Sequence, residues 1–277
     1  MEFTYKVIKD EVINTVVGLL TEREYKLLLT GKMKGIAAFW EEEAVAVMLY
    51  RTMEEDVLSL EKLFVAVEHR RQGIGTMMVR QLCGFARSEG NILMASFGLG
   101  VGEINAAPFF LSLKEFYIKK DEGFEALLSA EEVTALHERF GKKDAKPQLY
   151  FEQTKSMQSQ FVKHLEENYP LIAWSLENEQ NVYRKDLCCC IADQNGIQAV
   201  CLVKGTEEME LSFLYGKPEK GVLAAKALMD MASLVSAEKA ASMRMVLVNE
   251  ASVKILQQMS GKYEVTKQMY TAYYFGG

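Results

Sequence analysis

Six consecutive residues, Arg70-Arg71-Gln72-Gly73-Ile74-Gly75, combine the groups that hold a phosphate ester. The two arginines supply guanidinium donors. The two glycines lack a Cβ, so an anion can come close to the main chain. If a helix starts here, its first amides have no intrahelical acceptor and lie at the positive end of the helix dipole. The chemistry implied is capture of a diphosphate; the plainer alternative is a turn carrying a solvated basic pair. Two familiar nucleotide loops are excluded. A P-loop requires Lys-Ser or Lys-Thr after its second glycine, where this chain has Thr76-Met77. A dinucleotide fingerprint requires a third glycine, and position 78 is Met.

The elements that must position these residues are readable on either side. Leu58 to Val67 is an apolar, partly β-branched run and reads as a strand. A polar turn, Glu68 to Gln72, follows. The helix then carries Ile74, Met78, Leu82 and Phe85 at helical spacing and has its natural stop at Gly90. This strand, loop and helix resemble the GNAT N-acetyltransferases, whose signature is (Gln/Arg)-x-x-Gly-x-(Gly/Ala). A second segment, PFFLSLKEFYIKKDEGF, is similar to a later stretch of that family, in which a helix bears a tyrosine shortly before a Gly-Phe pair. Here the tyrosine is Tyr117, in a helix expected over 109–120, and the pair is Gly123-Phe124.

The resemblance implies acetyl-CoA as acyl donor. Its diphosphate would rest on the amides from Arg71 through Gln72, Gly73, Ile74 and Gly75 to Thr76, with Arg70 at the flank. Its pantetheine arm would pair with the main chain of Val65, Ala66 and Val67, and Asn105 would touch the same arm. The family's reaction needs a neutral amine, and a lysine-like amine with pKa about 10.4 is mostly protonated at neutral pH. Glu61, six residues before Val67, is the base the resemblance suggests, with Glu68 and His69 behind it. Tyr117 is the expected proton donor to the departing thiolate. The plainer roles are a solvent-facing strand glutamate beside Lys62 for Glu61 and a half-buried surface aromatic for Tyr117.

Length and composition set the frame. A chain of 277 residues is long for one domain, and 49% hydrophobic with 25% charged residues is a globular balance. The net charge of −6 disfavours a nucleic-acid partner. Cys83, Cys188, Cys189, Cys190 and Cys201 lack metal-ligand spacing and read as buried thiols in a reducing compartment, with no metal expected. The apolar runs fall short of the roughly 18 residues of a membrane span. A cytoplasmic protein is expected.

The second half echoes the first. Hairpin, strand, Gly-bearing turn and helix recur, and Gly73 matches Gly221 at an offset of 221 − 73 = 148. Asn105 and Asn249 differ by 249 − 105 = 144. On that alignment Pro218 replaces Arg70 and Leu223 replaces Gly75, so the repeat has lost its anion loop. The fold expected is α/β, as two tandem GNAT-like acyl-CoA N-acyltransferase domains, each a mixed, mostly antiparallel sheet flanked by helices. Residues 1–146 would be the acetyltransferase domain and 147–277 a degenerate, non-catalytic copy. The function expected is acetyl transfer to a primary amine of a small molecule or peptide, in a ternary complex and with homodimer formation open. The alternative is a non-catalytic acyl-CoA-binding or scaffolding protein on the same folds.

Overall fold

The computed structural model describes residues 3–54, 56–100, 106–140, 146–235 and 241–276. In chain order the first elements are β1 (Phe3–Val7), α1 (Asp10–Thr15), α2 (Glu22–Leu29), β2 (Lys34–Trp40), β3 (Glu43–Glu54) and β4 (Val57–Val65). Then come α3 (Ile74–Glu89), β5 (Ile92–Gly100), α4 (Ala107–Ser112), β6 (Tyr117–Leu128) and α5 (Ala130–Phe140). The remainder is β7 (Gln148–Leu149), α6 (Lys155–Asn168), α7 (Pro170–Asn178), β8 (Cys189–Asp193), β9 (Gly196–Lys204) and β10 (Glu208–Gly216). It ends with α8 (Val222–Leu234), β11 (Ser242–Leu247), α9 (Glu250–Met259) and β12 (Glu264–Phe275).

Two compact units result. The first holds the described residues up to Leu99, those from 106 to Lys120, and those from Tyr270 on. Its sheet runs β1-β2-β3-β4-β5, with the last half of β12 beside β5. From β1 to β5, neighbours are antiparallel except β4 and β5, which are parallel. The pattern of α3 explains its placement: Ile74, Met78, Leu82 and Ala86, with Val79 and Cys83, form one buried stripe against β3 and β4. Phe85 was expected on that stripe, but it stands at the rim, 39% exposed. The helix stops at Gly90, whose φ of 72° is the left-handed turn a glycine allows. At the start of α2, Thr21 accepts from the Glu24 amide and Glu24 accepts from the Thr21 amide, a complete capping box.

The second unit spans Asp121 to Met269, its sheet ordered β12-β6-β11-β10-β9-β8-β7. Helices α5, α8 and α9 cover one face and α6 and α7 the other. The adjacent cysteines alternate between these faces: Cys189 packs with Cys201 under α8, while Cys188 and Cys190 point to the α6 side. All five cysteines are free and buried.

Two expectations change here. The helix foreseen over 109–120 is only α4, six residues long; Lys114 takes a positive φ of 58°, and Tyr117 opens a strand instead. Bulky aromatic and β-branched residues at 116–118 favour that extended form. The compact units also divide differently from a cut at residue 146. The polar helix α5 looks like a connector, yet its Val133 and Leu136 belong to the core under α8, and residues from Tyr270 on return to the first unit.

Candidate active site

The site lies in the first unit, where β4 and β5 part. Their parallel pairing is confined to Val57↔Ile92, Leu58↔Leu93 and Ser59↔Met94, although β4 continues to Val65 and β5 to Gly100. Just past the split, Lys62 pairs with Leu49 and Leu60 with Tyr50 across β3, so Glu61 is the extra residue of a β-bulge. A bulge re-aims its side chain, and here it delivers the carboxylate to the opening between the strands. Glu61 Oε1 accepts from Arg51 Nε at 2.7 Å, which fixes the carboxylate. Lys62, on the other side of the strand, is tied to Glu24 at 2.7 Å and to the Leu19 carbonyl.

Peptide groups alternate sides along a strand. The Ala66 amide donates to the Val45 carbonyl at 2.8 Å, toward β3. The main chain of Val65 and Leu63 therefore faces the parted side. Of the three residues expected to pair with a pantetheine arm, Val65 is placed to do so, whereas the Ala66 amide is already committed. The Val65 carbonyl accepts from Arg70 Nε at 2.9 Å. Val67 begins a 3-10 turn, Val67–His69, and leads into the loop.

The loop is a nest of unused donors. Arg71 holds a positive φ of 64° and Gly73 one of 83°. Met77 is the first amide of the helix to bond back, to the Gly73 carbonyl at 3.0 Å. The amides of residues 71 to 76 meet no acceptor among the described residues. Neither Arg70 nor Arg71 has a carboxylate partner there. These groups open on a cavity of about 450 Å³ lined by Leu63, Val65, Arg70, Gly73 to Thr76 and Phe109. A Cβ built on Gly75 would meet Leu63, Val65 and Phe109 side chains at 3.5 to 3.8 Å, so a large side chain there fills the cavity. Gln72 donates instead to the Glu68 carbonyl, as a brace of the turn. His69 also lines this cavity, edge-on to Trp40 and Phe3, with a buried Nδ1 that has no partner. It stands on the loop side, away from Glu61.

A second cavity, of about 310 Å³, shares Leu63 and Phe109 with the first and is lined also by Glu61, Ser96 and Phe110. Ser96 Oγ and Thr271 Oγ1 lie 3.0 Å apart, so β12 backs a hydroxyl of the cleft. Tyr117 lines neither cavity and is 61% exposed. Asn105 falls outside the described residues. Arg51, Ser96 and Phe109 were not foreseen. No local motif marks the first two, because each reaches the cleft through strand pairing; Phe109 could have been suspected from Pro108, which starts α4.

The second unit shows what the loop adds. Its β10 has a bulge at Ser212, between Leu211↔Val203 and Phe213↔Leu202, and its Lys217 amide donates to the Gln198 carbonyl at 3.0 Å. Ser212 thus corresponds to Glu61 and Lys217 to Ala66, at an offset of 217 − 66 = 151. The helices begin at Ile74 and Val222, an offset of 222 − 74 = 148. Three residues are missing between the 3-10 turn and the helix. Pro218 therefore stands opposite Val67, correcting its match to Arg70, while Leu223 does replace Gly75.

The first unit's layout is that of an acyltransferase domain: a parted strand pair, a bulged central strand and an amide nest at a helix start. Residues 10–112 match the profile described as Acetyltransferase (GNAT) family. A tandem GNAT protein from the clavulanic acid biosynthesis pathway shares the fold with TM-score 0.60 and 11% identity, covering 100% of this chain and 99% of that one. A probable N-acyltransferase from Enterococcus faecalis V583 gives TM-score 0.63 and 10% identity, over 100% and 73%. A GCN5-related N-acetyltransferase from Kribbella flavida gives 0.57 and 12%, over 99% and 72%. No curated protein matches the sequence. The segment 10–112 thus matches the GNAT family, and the whole chain shares its fold with a tandem GNAT protein.

Proposed function

We propose that the first unit transfers an acetyl group from acetyl-CoA to the primary amine of a small molecule or peptide. The observation that carries this reading is the run of acceptor-free amides from 71 to 76, opening on a cavity that shares Leu63 and Phe109 with the one that holds Glu61. The nest fits a diphosphate, since pre-oriented main-chain donors at a helix start favour an anion. Arg70 and Arg71 add charge at its edge. Acetyl-CoA supplies a thioester carbonyl; the chain's own residues do the rest.

Glu61, held by Arg51, receives the incoming ammonium and takes its proton, directly or through one water. The parted main chain of Leu63 and Val65 orients the acyl donor. Ser96, backed by Thr271, is the hydroxyl of the acceptor cleft; it donates a hydrogen bond to the departing thiolate, which Tyr117 is too exposed to do, and the thiolate is then protonated by water. Leu63, Phe109 and Phe110 keep the cleft apolar, which strengthens every charge interaction inside it. The second unit has a structural role in this reading, and the work is done in a cytoplasm that keeps the five thiols reduced, by a monomer or a homodimer.

One observation favours the rival, a non-catalytic acyl-CoA-binding protein: Glu61 is already engaged by Arg51, and the expected phenol is absent from the cleft. Thiol release from acetyl-CoA across a panel of primary amines separates the two. Turnover with at least one amine, lost in Gly75→Trp, supports transfer. Tight binding of acetyl-CoA with no thiol release from any amine would leave the binding protein.

A further inference from the structure

The first unit has another cavity, of about 670 Å³, that shares no residue with the two just described. It lies between α1, α2 and the far end of α3. Phe85 at its mouth is ten residues beyond Gly75, about 15 Å along the helix. The volume is within the roughly 300–1,000 Å³ of small-molecule sites.

Its lining is divided by polarity. Ile13, Leu28 and Met33 are buried at the floor, and Leu29 and Phe85 are exposed at the mouth. The polar part is cationic. The β1–β2 register pairs Val7 with Ile36, and the Ile8 amide continues it to the Gly35 carbonyl at 2.8 Å. Just past this pairing Lys9 caps the start of α1, Lys34 is the first residue of β2, and both line the cavity. Two like charges on the wall of one cavity repel each other. Neither lysine has a carboxylate partner among the described side chains, in a chain whose acids outnumber its bases by 38 to 32. Beside them, Asn14 Oδ1 accepts from the Tyr25 hydroxyl at 3.4 Å, which leaves its amide protons directed elsewhere.

We propose that this cavity is a second ligand site, taking an amphiphilic anion. The head group sits between Lys9, Lys34 and Asn14 and relieves the lysine repulsion; an aliphatic tail covers Leu28, Leu29 and Phe85. Unlike the loop at 70–76, it offers side-chain cations and an apolar floor rather than a main-chain nest, so one compact anionic head on a hydrocarbon suits it better than a diphosphate. The site does not depend on the transferase reading.

The test is calorimetric titration of the full chain with dodecanoate and with dodecyl phosphate, against dodecanol and butyrate as partial ligands. One of the two amphiphiles should bind at one per chain, at least tenfold tighter than either partial ligand. The Lys9→Glu/Lys34→Glu double variant should lose at least tenfold of that affinity while binding acetyl-CoA as the parent does. Lys34→Glu alone should raise the melting temperature of the ligand-free protein, since it turns a repelling pair into an attracting one. Failure of both amphiphiles to bind, dodecanol binding as tightly as they do, or full retention of affinity in the double variant would overturn the proposal.

Discussion

The two units carry the same strand, bulge, 3-10 turn and helix, yet only one leaves room for an anion. In the first, four residues, Arg70 to Gly73, separate the turn Val67–His69 from α3. In the second, Gly221 alone separates Pro218–Lys220 from α8, with an ordinary φ of −54° where Gly73 has 83°. The shortened loop draws the helix against the strand end. A Cβ on Gly216, the counterpart of Val65, would lie 3.2 Å from Ala224 Cβ and 3.3 Å from the Lys220 carbonyl. Where the first unit has an opening, the second is filled. Three residues are thus enough to close the amide nest while the sheet and helix around it persist.

Breaking the first unit's loop should have the largest effect. Gly75→Trp fills the space between Leu63, Val65 and Phe109 and should abolish acetyl-CoA binding, read by calorimetry; the parent should bind one acetyl-CoA per chain, not two. A stoichiometry of two would mean that the second unit's closed loop opens, and the contrast between the units would collapse.

Next come the bulge residues. Glu61→Gln should lower kcat about 100- to 10,000-fold, the range for a general base, with acetyl-CoA affinity kept. Ser212→Ala, at the corresponding bulge of the second unit, should leave the rate unchanged. Equal losses in both would assign the bulges a folding role.

A smaller effect separates the two hydroxyls that could hydrogen-bond the departing thiolate. Ser96→Ala should lower turnover about tenfold, the cost of one hydrogen bond to a charged group. Tyr117→Phe should leave turnover as it is, because the phenol lies on an exposed strand start. A slow Tyr117→Phe with a normal Ser96→Ala would reverse the assignment.

These residues also show where sequence reading stops. The loop was legible because all its chemistry is local: charge, missing Cβ atoms and a helix start fall within seven residues, 70 to 76. The duplication was legible as a rhythm of elements, but not in register, because a gap of three residues is invisible until the strand hydrogen bonds fix which residues correspond. Tyr117 was misplaced because apolar spacing over 109–120 suits a helix until the positive φ of Lys114 ends it. Ser96 and Arg51 carry no signal of their own, since β12 and β4 bring them to the cleft from distant sequence. The unit boundary was hidden for the same reason, as the residues from Tyr270 on complete the first unit.

The cysteines give the finest comparison, since four of the five lie in the second unit. Burial pushes the Cys188 thiol up to about 12, mainly by desolvation, and Cys190 up to about 12 for the same reason. Cys83 in the first unit is also raised to about 12, by burial first and by Glu115 after it. A thiol that stays protonated in the fold but ionises freely when unfolded, from about pH 9, stabilises the fold fully below that pH. Its contribution is lost between pH 9 and 12, because there the unfolded state binds fewer protons. Each such thiol costs about 1.4 kcal/mol per pH unit over that window. Urea unfolding at pH 9 and pH 10 should therefore show stability falling with pH, and comparison of parent with variant removes the share due to tyrosines, whose ordinary pKa is about 10. In Cys188→Ala the fall should be shallower by about 1 kcal/mol, with the native protein unlabelled by a thiol reagent at either pH. The same slope in parent and variant would mean that the Cys188 environment is not closed to water, and the second unit would be looser than its packing implies.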